Sequence, residues 1–466
     1  MPTVIHSLLF LLLLLFTVSA RNITYPKVGF TPDEDPFYKA PDGWQEKQPG
    51  DILRWREIKP SFLNTNLTVE HAYQVLYRTS ENTPNEPSHT VTTIFVPYNH
   101  KSDAVVVGTV AEDANADKCA ISYSFLGGAY TGDTSFDIHM LPYLSMGYIM
   151  TIPDHEGPLN AFGAGRLEGY MSLDGVRAAL NFDKLGLSHK AKVAGYGYSG
   201  GALALGWAAS LQPKYAPELN VVGWAFGGTP TNLKGLIDST SGKLFSGFIV
   251  GGCAGVIDAY PEMKEYADSA LTDEGKQALQ YAREHCWSDV VEKYAFTDLR
   301  TPRFAKRGKR VFETEEVKPV FDKLIMGENK DETPTAPVLV YHAVHDEIVP
   351  YNYARKTVDQ WCKWDAKVHM ITYDNLLLDH ITTEYTAMAR AVKFLRERLH
   401  GEAPENHCVF ESSTTALFEP GVLGEDLRNV MEVILAYFGA HIGEQSHVLK
   451  SKIKNHRKHW RRALRA

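Results

Sequence analysis

The chain has 466 residues, 44% hydrophobic and 22% charged, with a formal net charge of −8. Apolar content on this scale excludes an intrinsically disordered chain, and 36 Gly and 24 Pro without a period exclude collagen-like or low-complexity architecture. A net acidic chain has no bulk attraction for nucleic acid. The average conceals a split: residues 447–466 carry eight Lys/Arg and no acid, leaving 40 basic against 56 acidic residues elsewhere.

The apolar run Leu8–Val18, followed by Ser19 and Ala20, reads as a signal-peptide core with a V-x-A cleavage site, so residues 1–20 are expected to be removed. The run is shorter than the roughly 20 residues a membrane-spanning helix needs, and no later segment is apolar for long enough. A secreted chain without a transmembrane anchor is expected. Asn22-Ile23-Thr24 and Asn66-Leu67-Thr68 are glycosylation sequons, which suits the same compartment. Five cysteines allow two bridges and one free thiol, but spacing does not assign the pairing. No C-x-x-C or Cys/His cluster points to a metal.

Residues 25–60 are rich in Pro, Asp and Lys and read as an arm without strong periodicity. Tyr73–Tyr77, Thr90–Phe95, Ala104–Val110 and Tyr148–Ile152 then read as strands. Gly165–Asn181 has helical spacing, Ala191–Tyr196 is strand-like, and Gly200–Ser210 is small, apolar and helical. Val221–Phe226 and Val338–Val344 are further strands, followed by helices near Tyr351–Trp361 and Thr382–Leu399. This alternation predicts an α/β fold with a mostly parallel sheet covered on both faces. Between Thr229 and about Glu332 the alternation breaks, and a mainly helical insertion is read there as a cap over the active site. Its Gly-rich apolar stretch, Leu244–Val256, fits either an acyl pocket or plain core packing.

Gly197-Tyr198-Ser199-Gly200-Gly201 is a G-x-S-x-G string placed between an apolar strand and a small-residue helix. That context puts a serine on a tight elbow above the sheet, with the Gly200 N–H aimed where an ester oxyanion would form. The same stretch spells a dinucleotide fingerprint, Gly195-x-Gly197-x-x-Gly200, but Glu218 precedes the next strand instead of ending it. A nucleophilic serine needs a base and an orienting acid, which in this fold follow in the order Ser, Asp, His. Asp346 follows the strand Val338–Val344, and His380 lies on an expected loop before the last helix. Glu347 and His342 are the nearest competitors, with His342 expected to be buried away from the strand end where catalysis occurs.

Several long strings in one order make the chain resemble the fungal secretory lipase family. They are Asp35-Pro36-Phe37-Tyr38, Asp154-His155-Glu156-Gly157, the elbow at 197–202, Tyr215-Ala216-Pro217-Glu218-Leu219-Asn220, Gly227-Gly228-Thr229-Pro230 and Asp346-Glu347-Ile348-Val349-Pro350-Tyr351. The resemblance implies an α/β-hydrolase fold with its helical cap at 232–325, core segments at 21–231 and 326–446, and the basic tail 447–466 beyond. It implies ester hydrolysis without a cofactor, a triad of Ser199, Asp346 and His380, and an oxyanion hole at Gly200 and Asp113. It also implies bridges Cys119–Cys286 and Cys362–Cys408, with Cys253 left over.

The expected activity is hydrolysis of triacylglycerols or other carboxylic esters by a monomeric chain working at a lipid–water interface. A short-acyl esterase acting on a specific metabolite is the alternative, since sequence does not fix pocket size. In the tail, Leu449, Ile453, Trp460 and Leu464 fall on one helical face among basic residues. That pattern suits an anionic surface, and equally a solvated extension.

Overall fold

The computed structural model describes residues 31–62, 65–127 and 139–414. The expected signal segment 1–20, the sequon at Asn22 and the basic tail 447–466 lie outside the described residues. Asn66 is described by its backbone, in a short strand, Thr65–Asn66.

The strands are β1 (Ile52–Glu57), β2 (Ser61–Phe62), β3 (Thr65–Asn66), β4 (His71–Ser80), β5 (Pro87–Val96), β6 (Ala104–Thr109), β7 (Ile149–Pro153), β8 (Lys192–Tyr198), β9 (Val221–Gly227), β10 (Val338–Ala343), β11 (Val368–Tyr373) and β12 (Val409–Ser413). Ten of them form one sheet in the order β1-β4-β5-β7-β6-β8-β9-β10-β11-β12, while β2 and β3 pair separately. The pairs β1/β4, β4/β5 and β5/β7 are antiparallel. From β7 to β12 every neighbouring pair is parallel.

Strands buried on both faces explain the apolar runs. β6 and β10 are buried at every residue, as crossover-covered parallel strands must be. Their alternation divides the core into two layers. Val105 and Val107 face helices α1 (Gly165–Leu180) and α2 (Ser199–Tyr215), packing with Leu173, Leu205 and Trp207. Val106 and Ala194 face the opposite layer, with Ala391 and Leu395 of the helix His380–Leu399.

Between β9 and β10 the chain leaves the sheet for α3 (Leu233–Thr240), α4 (Gly247–Ala259), α5 (Pro261–Ala270), α6 (Asp273–Glu284), α7 (Trp287–Tyr294) and α8 (Lys318–Lys323). These share an apolar core that extends onto Leu167 and Met171 of α1. The Gly-rich stretch forms α4, and its glycines let that helix lie against other backbones: a Cβ on Gly247 would strike Val290 and Val291, and one on Gly255 would strike Phe162. The last two helices are α9 (Tyr351–Lys363) and α10 (His380–Leu399).

Two expectations are corrected. The arm 25–60 contains the edge strand β1, hidden in sequence because Arg54 and Arg56 interrupt its apolar pattern at a partly exposed edge. β12 extends the opposite edge, again as a part-exposed strand without an apolar run. Disulfides join Cys119 to Cys286 and Cys362 to Cys408, with Cα–Cα separations of 5.6 and 5.9 Å, and Cys253 is free.

Candidate active site

The turn from β8 into α2 occurs within one residue. Ser199 takes φ +54°, a left-handed conformation unusual for a side chain of any size. Two glycines make this possible. A Cβ on Gly197 would meet Thr109 and Gly201, and one on Gly201 would meet the Thr109 carbonyl, so the end of β6 and the elbow pass in backbone contact. Ser199 Oγ lies 2.8 Å from His380 Nε2, and His380 Nδ1 lies 2.7 Å from Asp346 Oδ2.

The structure thus brings Ser199, His380 and Asp346 into one hydrogen-bonded row, although 181 residues separate the serine from the histidine. Asp346 also organises its own turn: Oδ1 accepts the N–H groups of Ile348 at 3.0 Å and Val349 at 2.6 Å. Burial opposes ionisation of Asp346, yet the adjacent His380 and His342 imidazoles hold its carboxyl well below the usual range. His380 responds in the opposite sense. Burial disfavours its charged form, but Asp346, with Glu384 and Glu347 behind, raises its pKa above that of free imidazole.

Two placements differ from the sequence expectation, and one competitor of Asp346 takes another partner. His380 is the first residue of α10, not a loop residue, with Asp379 as N-cap; Asp379 accepts the Thr382 N–H at 2.8 Å in a capping box. Glu347 does not compete with Asp346: its carboxylate accepts the backbone N–H of His380 at 2.8 Å. His342 is fully buried as expected, but it is not remote from the triad, because its Nε2 lies 3.2 Å from Asp346 Oδ2 and 3.0 Å from Val349 O. Tyr198, unremarked in sequence, donates its hydroxyl to the His380 carbonyl at 2.7 Å.

Asp113 follows β6 with φ +50° and packs its carboxyl directly over Gly200, where a Cβ would run into Oδ1. Beneath lies a layer of buried acids, supplied by the Asp154-His155-Glu156 string together with Glu112 and Glu168. Asp154 accepts the Ser122 N–H at 2.8 Å and pairs with the Ser122 hydroxyl, and burial pushes its pKa up to about 7. Burial and mutual repulsion raise Glu112 and Glu156 well above the usual carboxylate value. His155 donates Nε2–H to Val110 O at 2.9 Å, and its Nδ1 lies 3.5 Å from Glu168.

The dinucleotide alternative fails on packing. The position above Gly195 is filled by Trp224 and that above Gly200 by Asp113, while Glu218 pairs with Arg177 at 2.7 Å. Among the described residues, no His/Cys/Asp/Glu group is arranged to hold a metal ion, and no helix is long and apolar enough to cross a membrane.

A mostly parallel sheet with a strained serine elbow, a strand-end aspartate and a late histidine has the form of a serine hydrolase of the α/β-hydrolase class. The secretory lipase family profile matches residues 128–407. The chain is 49% identical over 425 residues to the secreted triacylglycerol lipase LIP1 of Malassezia furfur, covering 90% of this chain and 86% of that one. It is 42% identical to LIP4 of Malassezia globosa, over 91% and 94% of the two chains. Candida antarctica lipase A in its closed state superposes with a TM-score of 0.77 at 30% identity, over 87% of this chain and 96% of that one. The chain belongs to the secretory lipase family.

Proposed function

We propose that the protein is a secreted lipase that hydrolyses triacylglycerol esters through an acyl-enzyme on Ser199. The carrying observation is the continuous row Asp346 Oδ2, His380 Nδ1, His380 Nε2, Ser199 Oγ, at 2.7 and 2.8 Å, ending on a serine held at positive φ. Names of relatives from two Malassezia species, both secreted triacylglycerol lipases, support the substrate class and the compartment.

In this reading Ser199 Oγ attacks the ester carbonyl carbon while its proton passes to His380 Nε2. The Gly200 and Asp113 N–H groups stabilise the oxyanion, and His380 returns the proton to the departing alcohol. Water, deprotonated by the same imidazole, then releases the acid. Asp346 fixes the tautomer that leaves Nε2 free to accept.

The helical insertion 232–325 acts as the cap. Its face at Ile249, Val250, Cys253 and Ile257 lines an apolar cavity of about 90 Å³. Ligand sites of roughly 300–1,000 Å³ are usual, so this cavity within the cap is too small to hold a long acyl chain as it stands. A second reading is an esterase restricted to short acyl groups.

Labelling with an alkyl phosphonate followed by peptide mass mapping tests the nucleophile: modification on Ser199 is expected, and modification elsewhere overturns the assignment. Hydrolysis rates from acetyl to oleoyl esters, soluble and emulsified, separate the two readings. The lipase reading predicts a rise toward long emulsified chains.

A further inference from the structure

At the end of α2 remote from Ser199 lies a cavity of about 840 Å³, within the size range of small-molecule sites. Ser199 and Ser210 are eleven residues apart on α2, so the cavity wall at Ser210 is ~16 Å from the elbow at 1.5 Å per residue. The cavity is walled by the end of β4, one flank of α1, the last turns of α2 and the segment before β10.

Of the cations lining it, Arg78 alone meets no carboxylate, while Arg177 meets two. Arg166 pairs with Glu332 at 2.8 Å, Lys214 with Asp331, and Arg177 with both Asp174 at 2.8 Å and Glu218 at 2.7 Å. Arg78 is 7% exposed, and its guanidinium reaches only Ser80 Oγ, at 3.4 Å. Its Nε has no partner, nor has the buried hydroxyl of Ser210 on the same wall. Among the described residues no carboxylate lies within ion-pair distance of Arg78. A guanidinium left this way has hydrogen-bond donors that an anion entering the cavity would complete.

We propose that this cavity is a second ligand site, binding the carboxylate end of an organic acid with Arg78 as its anchor. Four cations and four carboxylates balance around the cavity because Arg177 holds two of the acids, so the preference rests on geometry: a planar carboxylate meets the Arg78 guanidinium fork with two parallel hydrogen bonds. A doubly charged phosphate fits less well, because the other lining cations are already paired and none is left for the second charge. Pro49, Pro84 and Leu211 give the remaining wall an apolar stretch suited to a short hydrocarbon. The acid has two sources of the same chemistry, a small free organic acid or a fatty acid released by ester hydrolysis. Only the second source rests on the lipase reading.

The test is calorimetric titration of the full chain with acetate, octanoate and inorganic phosphate. Saturable octanoate binding is expected at a Kd of roughly 1 mM or below, and Arg78→Gln is expected to weaken it at least tenfold. Turnover of a soluble ester by Arg78→Gln should stay unchanged, because Arg78 takes no part in the triad. Asn85→Trp, on the exposed rim, blocks the mouth without removing a buried group and should weaken octanoate to the same degree. Acetate binding as strong as octanoate assigns the site to small acids; octanoate binding alone assigns it to amphiphilic ones. The proposal is overturned if neither carboxylate binds saturably, if phosphate binds more tightly than both, or if octanoate affinity survives Asn85→Trp.

Discussion

His342 Nε2 lies 3.2 Å from the same Asp346 oxygen that receives His380 Nδ1. Its hydrogen bond goes to Val349 O at 3.0 Å, so Nε2 carries the hydrogen, and the same N–H faces the carboxylate as a secondary, shared contact. Asp346 is therefore held from three directions: by His342, by His380 and by the N–H groups of its own turn.

His342 is accordingly a positioning residue. His342→Leu should lower kcat on a soluble ester by roughly threefold to tenfold, the effect of losing a shared N–H that faces the carboxylate, with KM little changed. With one donor fewer, Asp346 becomes more basic and holds the His380 proton more tightly, so the acid limb of the kcat–pH profile should move upward. His342→Gln, which keeps a donor, should recover part of both effects. A fall in melting temperature with an unmoved limb would reduce His342 to a packing role.

Stability should fall as pH rises from about 5 to 8. Asp154, raised to about 7, and Glu112 and Glu156, raised further, keep their protons in the folded chain where the unfolded chain has released them. Unfolding then releases protons, which favours the unfolded state progressively above the ordinary carboxylate pKa of ~4. His380, also raised, adds stability below its ordinary value that is lost as pH climbs through its folded one. Asp346, depressed, works in the reverse direction, adding stability that disappears only as pH falls below the carboxylate range. Calorimetric melting temperatures should peak in mild acid, and Asp154→Asn should flatten the decline. A profile that rises toward pH 8 would contradict this.

Gly200 tests the oxyanion region. The methyl of Gly200→Ala would occupy the place of Asp113 Oδ1, a side-chain end that can swing aside, so the fold should survive while kcat falls by about 10² or more. Asp113→Asn should retain most activity, because Asn tolerates φ +50°, whereas Asp113→Val should not. Kinetics on one soluble ester decide both.

The Cys119–Cys286 bridge spans 167 residues and ties the loop after β6 to the N-cap of α7. Closing a loop of that length constrains the unfolded chain by about 5 kcal/mol in the chain-entropy estimate. Cys119→Ser combined with Cys286→Ser should therefore lower the denaturation midpoint markedly. The Cys362–Cys408 double variant, with a 46-residue loop, should lower it less.

How much of this was legible in sequence depends on what each residue does. β6, β8 and β10 are buried on both faces, so their apolar runs stand out; β1 and β12 are part-exposed edges and leave no such trace. The order Ser199, Asp346, His380 was readable because the elbow and the strand end have local signatures. The start of α10 at His380 was misplaced, since the capping signal lies in Asp379 and Thr382, on either side of a residue whose own chemistry drew attention. His342 and Glu347 read as rivals of the triad because spacing places them near it without showing which atoms they face. In three dimensions one bonds Val349 O with its N–H facing the Asp346 carboxylate, and the other receives the His380 backbone N–H. Arg78 carried no signal, because its lack of a partner is a property of packing alone.

The central claim is that Ser199 is the nucleophile of an ester hydrolase, and kcat/KM of Ser199→Ala on a short p-nitrophenyl ester tests it most directly. With its circular dichroism unchanged, the variant should lose a factor of about 10⁴ or more. A rate within tenfold of the unsubstituted protein would contradict the assignment.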